Sequence, residues 1–176
     1  EIHERLVGSE MCIRDRPEET AKAIVDGWFY TGDLGKIDSK GNLIITGRKK
    51  NVIVLKNGKN VFPEEIEEMI MKLPYVSECM MFTREKHNEL VLWCEIVYEP
   101  ALLEEENITR EQLAARFAKD LADINDILPK YKHINHFIMS EEPMIKTTTQ
   151  KVKRRAEVDK IYKQWDDEKC YNTIMK

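Results

Sequence analysis

The sequence predicts an α+β fold, and three observations carry that prediction. The first half is rich in short β-branched runs broken by glycine-bearing turns. Two longer strand-like runs then follow a proline-initiated helix, and the clearest helical pattern in the chain lies between those runs and a further strand. At 176 residues the chain is long enough for one domain with a proper core, or for a domain and a piece of another.

Taken in order, residues 1–16, "EIHERLVGSEMCIRDR", have neither a helical nor a strand period and are set apart as an unmatched leader. "GWFYTGDLGKIDSKGNLIITGR" reads as short strands, with "SKGN" as a hairpin turn before the run Leu43 to Thr46. "KNGKN" is a second tight turn, between Val52 to Leu55 and Val61 to Phe62. Pro63 suits the first position of a helix, with Glu64 and Glu65 at its positive end and Ile66, Met69, Ile70 and Leu73 as the buried stripe. "VSECMMFT" and "LVLWCEIVY", separated by the polar "REKHNE", pair antiparallel. Thr109 and Gln112 form a capping box, after which Leu113, Phe117, Leu121, Ile124 and Leu128 recur at helical spacing up to Pro129. A strand over "INHFIM" and a last helix with Val158, Ile161, Tyr162 and Trp165 on one face complete the order.

Composition narrows function. Hydrophobic residues make up 42% and charged residues 34%, and no apolar run approaches the length of a bilayer span. The net charge of −4 argues against a dedicated nucleic-acid domain, so phosphate chemistry should be local. Cys12, Cys79, Cys94 and Cys170 form no CxxC pair and read as reduced thiols of a cytoplasmic protein. His133 and His136 lack a third ligand, so no metal site is expected.

Three stretches combine glycine or threonine with charge: "YTGDLG" at 30–35, "TGRKKNVIVLKNGKN" at 46–60 and "IKTTTQKVKRR" at 145–155. Each alone is ordinary. Asp33 is a turn residue, Arg48, Lys49 and Lys50 a solvated basic corner, and Lys151 a surface lysine. A nucleic-acid patch over Lys146, Lys151, Lys153, Arg154 and Arg155 is disfavoured, because it has no interleaved aromatic.

In order and spacing, however, "GWFYTGDLG", "GNLIITGRKKNVIVLKNGKNVFPEEIE" and the lysine ahead of "VKRR" resemble the C-terminal part of the adenylate-forming superfamily. That superfamily includes acyl-CoA synthetases, peptide-synthetase adenylation domains and firefly luciferase, and the second stretch is especially similar to bacterial long-chain fatty acid–CoA ligases. The resemblance covers residues 17 to about 160. It implies a small C-terminal domain of antiparallel strands packed by helices, mobile over 50–165, after the last strands of a large AMP-binding domain at 17–49 and before a tail at 166–176.

The resemblance also implies roles. Asp33 would accept hydrogen bonds from the ribose hydroxyls of ATP or AMP, and Arg48 would contact the nucleotide's ribose or phosphates. Lys50 would be the hinge, Gly58 would face the coenzyme A side, and Lys151 would be the catalytic lysine of adenylation. Magnesium would arrive with the ATP phosphates. The partners implied are the large N-terminal domain, with its phosphate loop and acyl pocket, and a fatty acid or other carboxylate; peripheral membrane contact fits such a substrate. Two departures stand out: Gln150 replaces a glycine common among relatives, and "VGSEMCIRDR" does not match the usual glycine- and tyrosine-rich lead-in. Without the large domain the stretch is expected to be inactive, and the alternative is a stand-alone interaction module using the tail "YKQWDDEKCYNTIMK".

Overall fold

A computed structural model describes residues 16–86, 89–164 and 172–173. The chain forms two compact units that divide between Lys50 and Asn51.

The first unit opens with helix α1, Pro17–Ala23, which the sequence reading did not include. Its own chemistry accounts for it: proline at the first turn, Glu18 and Glu19 at the positive end and Lys22 in the last turn. Strands β1 (Ile24–Val25) and β2 (Trp28–Phe29) follow as a hairpin. Its two turn residues, Asp26 and Gly27, both have positive φ, the turn that matches strand twist. β3 (Asp33–Ile37) pairs antiparallel with β4 (Leu43–Arg48), with a register shift between Leu34 and Gly35. The expected turn is there, locked by Asp38 Oδ1, which accepts from the backbone of Lys40 and Asn42 at 2.8 Å each. This unit leaves Trp28, Tyr30, Ile37, Leu43 and Ile45 exposed.

The second unit holds the core. Its elements are β5 (Ile53–Val54), β6 (Asn60–Val61), α2 (Pro63–Ile70), β7 (Glu78–Lys86), β8 (Glu89–Val97), α3 (Ala101–Glu105), α4 (Arg110–Ile127), β9 (His136–Ser140), α5 (Arg154–Gln164) and β10 (Asn172–Thr173). A four-stranded sheet runs β10-β9-β8-β7. β7 and β8 are antiparallel as the sequence predicts, from Glu78↔Val97 to Lys86↔Glu89. β8 and β9 are parallel, so the sheet is mixed; the chain between them is long enough to carry α4 across, which a parallel pair requires.

Strand alternation sorts the core into two layers. Met81, Leu92, Cys94, Ile96, Phe137 and Met139 pack with Ile66 and Ile70 of α2 and with Leu113, Phe117 and Leu121 of α4. Met80, Phe82, Trp93, Val97 and Ile138 pack with Met144 and Ile161 of the α5 side. Because both faces of β8 are covered, it reads as a nearly continuous apolar run. The capping box of α4 forms, with Thr109 Oγ1 accepting from Gln112 N at 3.3 Å and Gln112 Oε1 accepting from Thr109 N at 2.8 Å. Val158 and Ile161 of α5 pack inward as expected, while Tyr162 is 40% exposed and its hydroxyl donates to Thr83 O. Trp165 lies outside the described residues. No helix among the described residues is long and apolar enough to cross a membrane.

Candidate active-site residues

Asp33 begins β3 directly opposite Arg48, the last residue of β4. Arg48 Nε lies 2.7 Å from Asp33 Oδ1 as an ion pair, with side chains 39% and 30% exposed. The Asp33 backbone N–H bonds Thr31 Oγ1 at 3.1 Å, and Lys49 N donates to Gly32 O at 2.8 Å, closing the end of the hairpin. An exposed ion pair of this kind stabilises a fold by only about 0–1 kcal/mol. Its interest is chemical: a half-exposed carboxylate and a guanidinium, fixed side by side, offer an acceptor for a diol and a donor for phosphate. Lys50 is exposed within the one-turn 3-10 helix Lys49–Asn51, where the two units divide.

Gly58 sits in the turn of the β5–β6 hairpin, where its N–H bonds Leu55 O at 2.8 Å. Its φ of +76° is one that favours glycine, and a Cβ there would meet nothing within 4 Å. The turn therefore needs glycine for its backbone conformation, and the surrounding space is open.

Lys151 lies in the loop between β9 and α5. Lys146 and Val152 form an antiparallel bridge, Thr147 N donates to Lys151 O at 2.8 Å and Gln150 N to Thr147 O at 3.0 Å. Thr147 Oγ1 accepts from Lys151 N at 3.2 Å and meets Thr149 Oγ1 at 2.9 Å. Gln150 has φ +60°. This is a hairpin loop whose last turn residue is left-handed, which explains why glycine suits that position and why glutamine holds it at a cost.

The five basic residues of this segment are not alike. Lys146 Nζ donates to Glu78 Oε1 at 2.6 Å, and Arg154 forms a two-pronged pair with Glu67. Lys151, Lys153 and Arg155 are exposed, and no carboxylate pairs with Lys151 among the described residues. The loop's first arm is held as well: Glu78 Oε2 accepts from Met144 N at 3.1 Å and Glu157 Oε2 from Ile145 N at 2.6 Å. The sequence reading missed Glu67, Glu78 and Glu157. Glu157, 0% exposed on α5, interrupts the apolar face that the helical period led one to expect.

Beside it is Glu95, also buried, with one carboxylate oxygen lacking a hydrogen-bond partner among the described residues. Burial, then the charge of Glu157, pushes its pKa up to about 7. Of the described thiols, neither Cys79 nor Cys94 suits nucleophilic work. Burial and then the charge of Glu67 push Cys79 up to about 12, and burial raises Cys94 as well. His133 Nε2 bonds Leu128 O and His136 packs on Trp93, and no group of three metal-ligating side chains occurs among the described residues.

Residues 50–172 match the family model described as the AMP-binding enzyme C-terminal domain. The chain belongs to that family. A long-chain-fatty-acid–CoA ligase of Escherichia coli O157:H7 is 34% identical over 134 residues, 69% of this chain and 24% of that protein. The long-chain-fatty-acid–CoA ligase heimdall of Drosophila melanogaster is 53% identical over 68 residues, 38% of this chain and 10% of that protein. Among solved structures, ATP-bound MatB from Rhodopseudomonas palustris superposes with a TM-score of 0.60 at 28% identity, covering 84% of this chain and 27% of that one. This AMP-binding C-terminal domain therefore spans about a quarter or less of the relatives it matches.

Of the site residues expected from the sequence, Asp33 and Arg48 are in direct contact in the first unit. Gly58 and Lys151 occupy two separate turns of the second.

Proposed function

We propose that this chain is the C-terminal part of an ATP-dependent acyl-CoA synthetase, which joins a carboxylate to ATP as an acyl adenylate, releases pyrophosphate and then forms a thioester with coenzyme A. The observation that carries the reading is Lys151: an exposed ammonium without a carboxylate partner among the described residues, on a loop whose backbone is closed by internal hydrogen bonds.

In adenylation a carboxylate attacks the α-phosphate, so two anions must approach and charge must pass to the leaving pyrophosphate. A lysine ammonium beside the reacting oxygens offsets that repulsion in the transition state, and a paired lysine could not do so without first breaking its bridge. Asp33 would accept from the ribose hydroxyls while Arg48, held against it, faces the nucleotide's ribose or phosphate oxygens. Magnesium would travel with the ATP phosphates. For the second step, Lys50 would be the hinge and the open turn at Gly58 would let backbone approach the pantetheine arm. A fatty acid or other carboxylate and a large AMP-binding domain are the partners this scheme requires. Cytoplasmic location fits the free thiols of Cys79 and Cys94.

Two measurements test the reading. The 176-residue chain alone should give no ATP–pyrophosphate exchange with fatty acids; robust exchange would refute its dependence on a larger domain. In a full-length ligase carrying this chain as its C-terminal domain, Lys151→Ala should slow adenylation by roughly 10²–10³-fold while sparing thioester formation from supplied acyl adenylate. Equal loss in both steps would remove the role given to Lys151.

A further inference from the structure

We infer that Arg154 is the positioning residue for Lys151, clamping the second foot of its loop to helix α2 through Glu67 and Glu64. The inference rests on the reading of Lys151 above.

Loop closure sets the geometry. After the Lys146–Val152 bridge, Lys153 N donates to Ile145 O at 2.8 Å, and the next residue is Arg154, the first of α5. Its Nη1 donates to Glu67 Oε1 at 2.7 Å and its Nη2 to Glu67 Oε2, while Nη2 lies 3.9 Å from Glu64 Oε1. Side chains at this junction are 25% exposed for Arg154, 12% for Glu67 and 30% for Glu64. Burial by itself would depress the guanidinium pKa, but the Glu67 hydrogen bonds and the charges of Glu67 and Glu64 outweigh it and raise it.

A forked guanidinium gripping one carboxylate with two bonds fixes direction as well as distance, which a lysine ammonium cannot do. Glu67 is itself immobilised by Met81 N, which donates to Oε1 at 2.6 Å. Glu64 accepts from Asn51 Nδ2 at 2.6 Å, and Asn51 directly follows the hinge candidate Lys50. The helix carrying both glutamates starts two residues after β6, the second strand of the Gly58 hairpin. Arg154 thus gathers the adenylation loop, the helix behind the coenzyme A-side hairpin and the residue beyond the hinge at one junction.

The test has a local and a chemical arm. In the 176-residue chain, Arg154→Met should speed hydrogen exchange at the Gln150 and Lys151 amides at least tenfold, leaving the Cys94 and Ile96 amides of β8 unchanged. In the full-length ligase, Arg154→Met should lower adenylation turnover by roughly 30- to 100-fold, keep KM for ATP and thioester formation within about threefold, and be partly rescued by Arg154→Lys. The pair Glu67→Gln/Arg154→Met, which removes the Glu67 charge together with its forked partner, should be no worse than Arg154→Met alone. The clamp is refuted if the loop amides do not respond, if adenylation stays within threefold of the parent, or if both half-reactions fall equally in Arg154→Met and in the double variant. Lys151→Ala measured alongside separates the two levels: intact adenylation there overturns the role of Lys151 itself, whereas its loss beside an unaffected Arg154→Met overturns only the clamp.

Discussion

The two units of this chain treat apolar residues in opposite ways. In the first, Trp28 is 75% exposed, Ile37 73% and Leu43 68%, and the hairpins are held by turn chemistry and the Asp33–Arg48 pair. In the second, Trp93, Phe117, Phe137 and Ile66 are essentially sealed between a mixed sheet and its helices. Strand-forming sequence alone therefore does not make a core; an amphipathic run is stabilised only when a second layer covers it. The first unit carries site residues on a scaffold with little burial of its own, while the second can hold a loop in place.

Substitutions can break that contrast, beginning where the effect should be largest. Phe117→Ala removes a fully buried ring that meets Phe137 edge-on at 6.3 Å, and should cost about 3–5 kcal/mol in urea unfolding of the chain. A loss below about 1 kcal/mol would mean that α4 is not seated on the sheet.

Next comes Glu95→Gln. Because the folded carboxyl titrates at about 7 against an ordinary 4.5, the folded state holds its proton more tightly, and stability falls as pH rises across that window. Glu157 and Glu78 face it with like charge and Lys160 opposes them. The variant should gain about 2–3 kcal/mol relative to the parent between about pH 5 and pH 8. Parallel stability curves over that range would show that Glu95 ionises normally.

Gln150→Gly is smaller. It relieves a left-handed residue in the Lys151 loop, against the added freedom of glycine when unfolded, for a net gain of about 0.5–1 kcal/mol. A net loss would mean that the glutamine side chain contributes more than its backbone costs. Smallest is Trp28→Ala in the first unit, which should change unfolding of the 176-residue chain by less than about 0.5 kcal/mol. A large effect would erase the contrast between the units.

What could be read from the sequence follows the same division. The α4 helix was legible because Thr109, Gln112 and the Leu113–Phe117–Leu121 period are local signals, and the β7–β8 hairpin because its two apolar runs are adjacent. The parallel pairing of β8 with β9 was not, since it joins segments about forty residues apart and leaves no period in either. The short α1 escaped because seven residues give too little periodicity to register. Motif order pointed to Asp33, Arg48 and Lys151. The glutamates behind them were hidden: Glu67, Glu78 and Glu157 sit on regular elements as ordinary charged residues, and only tertiary contact distinguishes Glu67 from the neighbouring exposed Glu68.

The Glu67–Arg154 pair has one more consequence. β7 lies at one end of the sheet order, and such a border exposes main-chain groups that invite a foreign strand. At Met81 both groups are taken, the N–H by Glu67 Oε1 at 2.6 Å and the carbonyl by Arg154 Nη1 at 3.4 Å. The salt bridge thus occupies, at Met81, main-chain groups that a foreign strand would need, and a variant lacking it should be tested for self-association as well as for lost activity.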